Sequence, residues 1–212
     1  MCFKVMLFDL DDTLYPHSIG IWQAIGVRMD EYIIDRLKVD PQQVANFRNE
    51  LFHQYGTTLR GLREVFSINE SEFLSYVHDV PIDKFLRKDD QLIKILAQFP
   101  QSKVIFTNAD TNHAKRVMSQ LGINQFFNQV IDIQAIHPFC KPMLEAYKIA
   151  IDLAGIDDPA DCVMIDDSER NLLTAHELGF FTIRVGSDNR LDFMDASVQS
   201  IYQLPEIIPV ER

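Results

Sequence analysis

The sequence predicts an α/β fold: a doubly wound, Rossmann-like parallel sheet with a helical cap inserted after its first strand. Three observations carry this expectation. Short apolar runs recur, each ending abruptly in a polar cluster; amphipathic stretches closed by glycine lie between them; and one long early segment has helical periodicity with no strand-like run.

Phe3-Lys4-Val5-Met6-Leu7-Phe8 is apolar enough for a strand buried on both faces, and it opens into Asp9-Leu10-Asp11-Asp12-Thr13. From Pro16 to about Lys88 the rhythm changes. Trp22, Ile25, Met29 and Ile33 recur at helical spacing, as do Val44, Phe47, Leu51 and Phe52. This predicts about four helices forming a cap domain over residues 16–88, apart from a core of residues 1–15 and 89–212. Placed directly after the first strand, the cap is expected to act as a lid.

The alternation then resumes. Asp90 to Phe99 reads as helix, Lys103 to Phe106 as strand running into Thr107-Asn108-Ala109-Asp110, and Thr111 to Leu121 as helix closed by Gly122. Val130 to Ile133 reads as strand leading toward Lys141-Pro142, and Pro142 to Ala154 as helix closed by Gly155. Cys162 to Ile165 reads as strand running into Asp166-Asp167-Ser168, and Glu169 to Leu178 as helix closed by Gly179. Glycine just past the last periodic residue is the usual helix stop. Ligands of open parallel sheets bind outside the carboxyl ends of the strands, so the polar clusters are expected to converge there.

The 212 residues carry 20 Lys and Arg against 31 Asp and Glu, a formal charge of −11 with the acidic residues scattered along the chain. Such a surface repels phosphate polymers, which argues against DNA or RNA as an extended partner and leaves only a local cationic pocket for a small anion. A hydrophobic fraction of 47% with 24% charged residues excludes a largely disordered chain. The apolar runs fall far short of the ~20 residues of a spanning helix, so no membrane partner is expected. Met1-Cys2-Phe3-Lys4 lacks a signal core, and Cys2, Cys140 and Cys162 have no paired spacing, which together point to a reducing, cytoplasmic setting. Oligomeric state stays open.

Asp9 and Asp11, two residues apart at a strand end, can face one small volume and suit a nucleophile beside a proton handler. Thr107 and Asn108 offer neutral donors to phosphate oxygens, Lys141 a fixed cation, and Asp166 with Asp167 hard oxygen ligands for magnesium. The histidines, His17, His53, His78, His113, His137 and His176, show no close ligand spacing and are read as ordinary. Trp22 and the phenylalanines are read as core. Cys140 lies beside Lys141, which would lower its thiol pKa, but no base accompanies it, and it is read as a spectator.

Asp9-Leu10-Asp11-Asp12-Thr13-Leu14, Phe106-Thr107-Asn108, Lys141-Pro142 and Ile165-Asp166-Asp167-Ser168, in this order, resemble the four motifs of the phosphatases of the haloacid dehalogenase superfamily. The resemblance implies Asp9 as covalent nucleophile and Asp11 as the acid that protonates the leaving group and later activates water. It implies Leu10, Thr107, Asn108 and Lys141 around the phosphate, with Thr107 and Lys141 in the catalytic set. The implied cofactor is Mg²⁺, held by Asp9, the Asp11 backbone carbonyl and Asp167, with Asp166 close by through water.

Within the predicted cap, Tyr55-Gly56-Thr57-Thr58-Leu59-Arg60-Gly61-Leu62 and Tyr76-Val77-His78-Asp79 are similar to signatures of the pyrimidine 5′-nucleotidase subfamily. This implies a nucleoside 5′-monophosphate as the small phosphomonoester substrate, reached by Tyr55, Thr57, Thr58 and Arg60. On their own chemistry, Gly56 and Gly61 permit a tight loop, the threonines offer hydroxyls and Arg60 a cationic fork. Asp11 and the Asp166-Asp167 pair argue against metal-free dehalogenation at carbon. A sugar-phosphate phosphatase, a phosphomutase and, more distantly, a non-catalytic binding module remain as alternatives.

Overall fold

The runs Val5–Phe8 (β1), Ser102–Phe106 (β2), Gln129–Ile131 (β3) and Cys162–Asp166 (β4) form strands in a computed structural model that describes residues 3–209. Cys2 lies outside the described residues. Two further strands, Phe181–Val185 (β5) and Ala196–Val198 (β6), complete a six-stranded, wholly parallel sheet in the order β3-β2-β1-β4-β5-β6. The central strands are solid hydrocarbon because both faces are covered: Met6, Leu7, Phe8, Ile105, Phe106, Val163, Met164 and Ile165 are all buried. β5 alternates instead. Thr182 and Arg184 interrupt its apolar residues, and the Thr182 hydroxyl and amide both bond to Asp195.

Between β1 and β2 the chain builds α1 (Ile21–Leu37), α2 (Val44–Tyr55), α3 (Thr58–Phe66), α4 (Glu70–Val77) and the one-turn α5 (Ile82–Phe85). α1 packs on α2 and α4, and α2 on α3. Gly61 lies inside α3, not in a loop. A Cβ there would meet Leu51 Cβ at 2.7 Å, so glycine lets α2 and α3 approach. Gly56, with φ of 91°, does make the expected turn between them.

The remaining helices are α6 (Asp90–Leu96), α7 (Thr111–Leu121), α8 (Leu144–Leu153), α9 (Glu169–Glu177) and α10 (Leu204–Ile207). α8 starts two residues later than the sequence suggests, with Pro142 and Met143 in the approach to it. The strand order reverses between β1 and β4, so right-handed crossovers put α7 on one face and α8 and α9 on the other. That reversal opens a crevice at the carboxyl ends of β1 and β4. Among the described residues no helix is long and apolar enough to cross a membrane.

Candidate active site

Asp9 follows β1 directly, and its N–H donates to the Ile165 carbonyl at 2.8 Å, extending the pairing with β4 by one residue. Thr107 extends β2 in the same way, donating to the Ile131 carbonyl at 3.0 Å, and Asp166 is the last residue of β4. Lys141 arrives on the loop after β3. Its ammonium, almost completely buried, donates to Asp9 Oδ1 and to Asp166 Oδ2, each at 2.8 Å. Asn108 fixes that loop: Lys141 N–H donates to Asn108 Oδ1 at 2.8 Å, and Asn108 Nδ2 donates to the Lys141 carbonyl at 2.9 Å. Its amide therefore holds the lysine in place, and the side chain also lines the cleft where the sequence suggested a phosphate donor.

Asp9, Asp166 and Asp167 each offer an oxygen within 4.8 Å of the others. With all three carboxylates ionised, the single ammonium leaves two negative charges uncompensated. Burial raises the Asp9 pKa, Lys141 opposes it, and Asp166 and Asp167 add to it, so the carboxyl sits well above its usual range. Burial, then Asp166 and Asp12, push Asp167 up to about 7. Lys141 is raised as well: burial disfavours its charge, but Asp166 and Asp9 outweigh burial and hold it firmly protonated. A buried surplus of two negative charges among hard oxygens fits a divalent cation. Asp166 has little left to give an ion. Its Oδ1 accepts from Ser168 N–H and Asn171 Nδ2, and its Oδ2 from Lys141 and Asn171 Nδ2.

A pH dependence follows, with a fixed sign. Because the folded-state pKa of Asp167 lies above its unfolded value, the metal-free protein gains stability as pH falls from 8 toward 6, when the proton is taken up. A cation competes with that proton, so Mg²⁺ affinity is expected to weaken as pH falls through about 7. Calorimetric titration at pH 6 and pH 8 checks this; equal affinities would remove Asp167 from the ligand set.

Asp11 stands apart from this acidic group. Its Oδ1 accepts from Tyr15 Oη and from His113 Nε2, the latter at 2.8 Å. Burial alone would raise its carboxyl, but the charge and hydrogen bond of His113 and the bond from Tyr15 together hold it below the usual range. His113 is a finding that sequence inspection missed. It lies on α7, far from Asp11 in the chain, and no spacing rule connects them.

A cleft of about 340 Å³ opens over these groups. Asp9, Asp11, Thr107, Asn108, Lys141 and Asp167 line it from the sheet, and Trp22, Met29, Phe52, Phe73, Leu74 and Val77 line it from the helices after β1. Thr57 and Thr58 reach it, as the sequence suggested. Tyr55 and Arg60 do not line it: the Arg60 guanidinium donates to the Tyr55 carbonyl at 3.0 Å, which knits the turn together. The Leu10 side chain is wholly buried, so only its backbone can meet a ligand. Trp22 and Phe52, expected in the core, are 43% and 39% exposed and form part of the cleft wall. Arg170, unremarked in the sequence, also lines the cleft, with its guanidinium 5.1 Å from the Phe52 ring centre. Cys140 is buried, and burial pushes its thiol up, not down; the Lys141 charge is turned toward the aspartates.

A family model described as haloacid dehalogenase-like hydrolase matches residues 3–179. Glyceraldehyde 3-phosphate phosphatase of Methanocaldococcus jannaschii is 25% identical over 223 residues, covering 97% of this chain and 96% of that one. Phosphate metabolism protein 8 of Saccharomyces cerevisiae is 25% identical over 190 residues and covers 83% of this chain, but the chain spans only 59% of the yeast protein's length. Among solved structures, a HAD phosphatase from Thermococcus onnurineus superposes with a TM-score of 0.69 at 18% identity, covering 99% of this chain and 100% of that chain. The magnesium-bound HAD-hydrolase YfnB of Bacillus subtilis gives 0.66 at 14% identity over 98% and 99%. These superpositions establish the shared fold. The family match, which runs from before β1 to the end of α9, makes this chain a member of the haloacid dehalogenase-like hydrolases.

Proposed function

We propose that the chain is a Mg²⁺-dependent phosphomonoester hydrolase that works through an aspartyl-phosphate on Asp9 and acts on nucleoside 5′-monophosphates, pyrimidine nucleotides foremost. The observation that carries this reading is the Asp9 carboxylate at the cleft floor, held by Lys141 beside the Asp166 and Asp167 oxygens. Asp9, Asp167 and the Asp11 carbonyl would hold Mg²⁺, with Asp166 acting through water because its own oxygens are already engaged. When bound, the ion neutralises the phosphate and the nucleophile.

The chain's own residues then divide the work. Asp9 attacks phosphorus in line and the ester oxygen leaves with a proton from Asp11. Asp11 next takes a proton from water as that water attacks the aspartyl-phosphate, releasing inorganic phosphate and restoring Asp9. The low pKa of Asp11 in the free protein suits the second half. A dianionic phosphate brought beside it favours the protonated form needed for the first. Lys141 offsets the repulsion between nucleophile and substrate, an interaction of about 4 kcal/mol per charge pair at 4 Å and an effective dielectric of 20. Thr107 Oγ1 accepts from Ala109 N–H at 3.0 Å, which leaves its own proton for a phosphate oxygen.

The helices over residues 16–88 act in this reading as a cap, and their aromatic wall selects the ester. Trp22 and Phe52 present flat apolar surface suited to a base. The name of the archaeal relative favours the second reading, a sugar-phosphate phosphatase. Phosphate release from UMP, CMP, purine nucleotides and triose and hexose phosphates, with Mg²⁺ and with EDTA, separates the two. The expected result is pyrimidine preference and no rate in chelator. A sugar-phosphate preference gives up the nucleotide, an isomer without free phosphate makes it a mutase, and an EDTA-resistant rate gives up the metal.

A further inference from the structure

The surroundings of Asp11 contain more machinery than the reaction above uses. His113 is completely buried on α7, and its Nε2 lies 2.8 Å from Asp11 Oδ1. In the tautomer that carries its proton on Nε2, the ring donates to Asp11 Oδ1. The other ring nitrogen, Nδ1, is buried and has no hydrogen-bond partner among the described residues. A histidine chosen for packing alone would not leave a polar atom stranded while aiming its one hydrogen bond at the carboxylate in the cleft.

What holds the imidazole is equally specific. The His78 ring, just after α4, stacks on it with centroids 4.4 Å apart and planes 21° from parallel. His78 Nδ1 donates to Asp110 Oδ2 at 3.0 Å, and Asp110 Oδ1 accepts the His113 N–H at 2.8 Å as the cap of α7. The Arg116 guanidinium donates to the carbonyls of His78 and Val80, at 2.7 and 2.5 Å, tying the end of the inserted helices to α7. His78 comes from the helices after β1 and His113 from the sheet-covering layer, so the stack spans the two parts of the chain.

We propose that His113 is a positioning residue for Asp11, fixing the carboxylate for proton transfer, and that His78 holds the imidazole in that orientation. The inference rests on the proposed reaction in one respect: Asp11 must be the group that moves the proton. The consequence is selective. A step that needs a proton from Asp11 depends on His113; attack by Asp9 on an ester whose leaving group needs no proton does not.

The test uses His113→Phe, which keeps a ring to stack on His78 but removes Nε2–H, and His113→Gln, which keeps a donor without the ring. Each is made in the parent and in an Asp11→Ala background and assayed on UMP and on p-nitrophenyl phosphate. The expected result for His113→Phe is a roughly 10- to 100-fold fall in UMP turnover, part of the ~10²–10⁴ attributable to acid–base catalysis, with KM changed less than about threefold. The first burst of p-nitrophenolate should keep its rate while the following steady state slows. His113→Gln should recover at least about half of the logarithmic loss, and in the Asp11→Ala background neither change should matter further.

If His113→Phe cuts the burst as much as the steady state, or lowers the Asp11→Ala enzyme as strongly as the parent, His113 is only structural and the proposal is overturned. Should His113→Phe fail to fold, His113→Gln in the same cycle decides: an equal loss in both backgrounds overturns the proposal, and a loss confined to the Asp11 parent supports it. If Asp11→Ala alone leaves UMP turnover intact, the proposed reaction fails first, and the positioning role falls with it.

Discussion

Asp9→Asn is expected to lower turnover by at least about a thousandfold while leaving the metal-free melting temperature level or higher. The amide keeps the shape and can still accept from Lys141, which retains Asp166 as its charged partner. What disappears is the nucleophile and one of three crowded buried carboxylates, whose ionisation burial and its acidic neighbours already oppose. Stability measured by thermal melting without metal, beside phosphate release with Mg²⁺, separates chemistry from folding. The variant should also gain less thermal stability from Mg²⁺ than the parent, because it offers the ion one charge fewer. Full activity in the variant would falsify Asp9 as nucleophile.

The second large effect is structural. Lys141→Met keeps the length of the side chain and removes the ammonium that touches both Asp9 and Asp166. Breaking a buried pair from one side leaves an uncompensated charge, which costs about 3–5 kcal/mol, or roughly 10 °C in melting temperature for a chain of this size. The direction with pH is set by the carboxyls. Without the lysine they are pushed to still higher pKa, so the loss is greatest at pH 8 and shrinks toward pH 5 as they take up protons. Mg²⁺ should return part of the lost stability but not the turnover. A Lys141→Met protein that melts like the parent at pH 8 would show that the lysine is not compensating those charges.

The legible parts of this protein were those written in consecutive residues. Phe3 to Phe8, Lys103 to Phe106 and Cys162 to Ile165 announced central strands because burial on both faces leaves them apolar but for Lys4 and Lys103 near their starts. β5 and β6 did not announce themselves. Beside the sheet edge, Thr182 and Arg184 break the apolar run, and β6 is only Ala196–Val198, too short for any period to show. The strand-end clusters pointed to Asp9, Asp11, Thr107, Lys141, Asp166 and Asp167, and the sheet brings them to one crevice. Tyr55 and Arg60 were misplaced for a definite reason: in a loop-and-helix start, composition names the donors but not their direction, and Arg60 turns back to its own backbone.

By itself, the sequence determined the alternation of strands and helices, the place of the helical insertion, and the carboxylates and lysine available for chemistry. These follow from local periodicity and from which residue types end each strand. Only the tertiary structure decided that Asn108 clamps the Lys141 loop, that Trp22 and Phe52 face the cleft, and that His113 and His78 meet at Asp11. Each of those contacts joins residues far apart in the chain. Their geometry is set by how α7 and the inserted helices pack against the ends of the sheet, and no pattern in neighbouring residues encodes it.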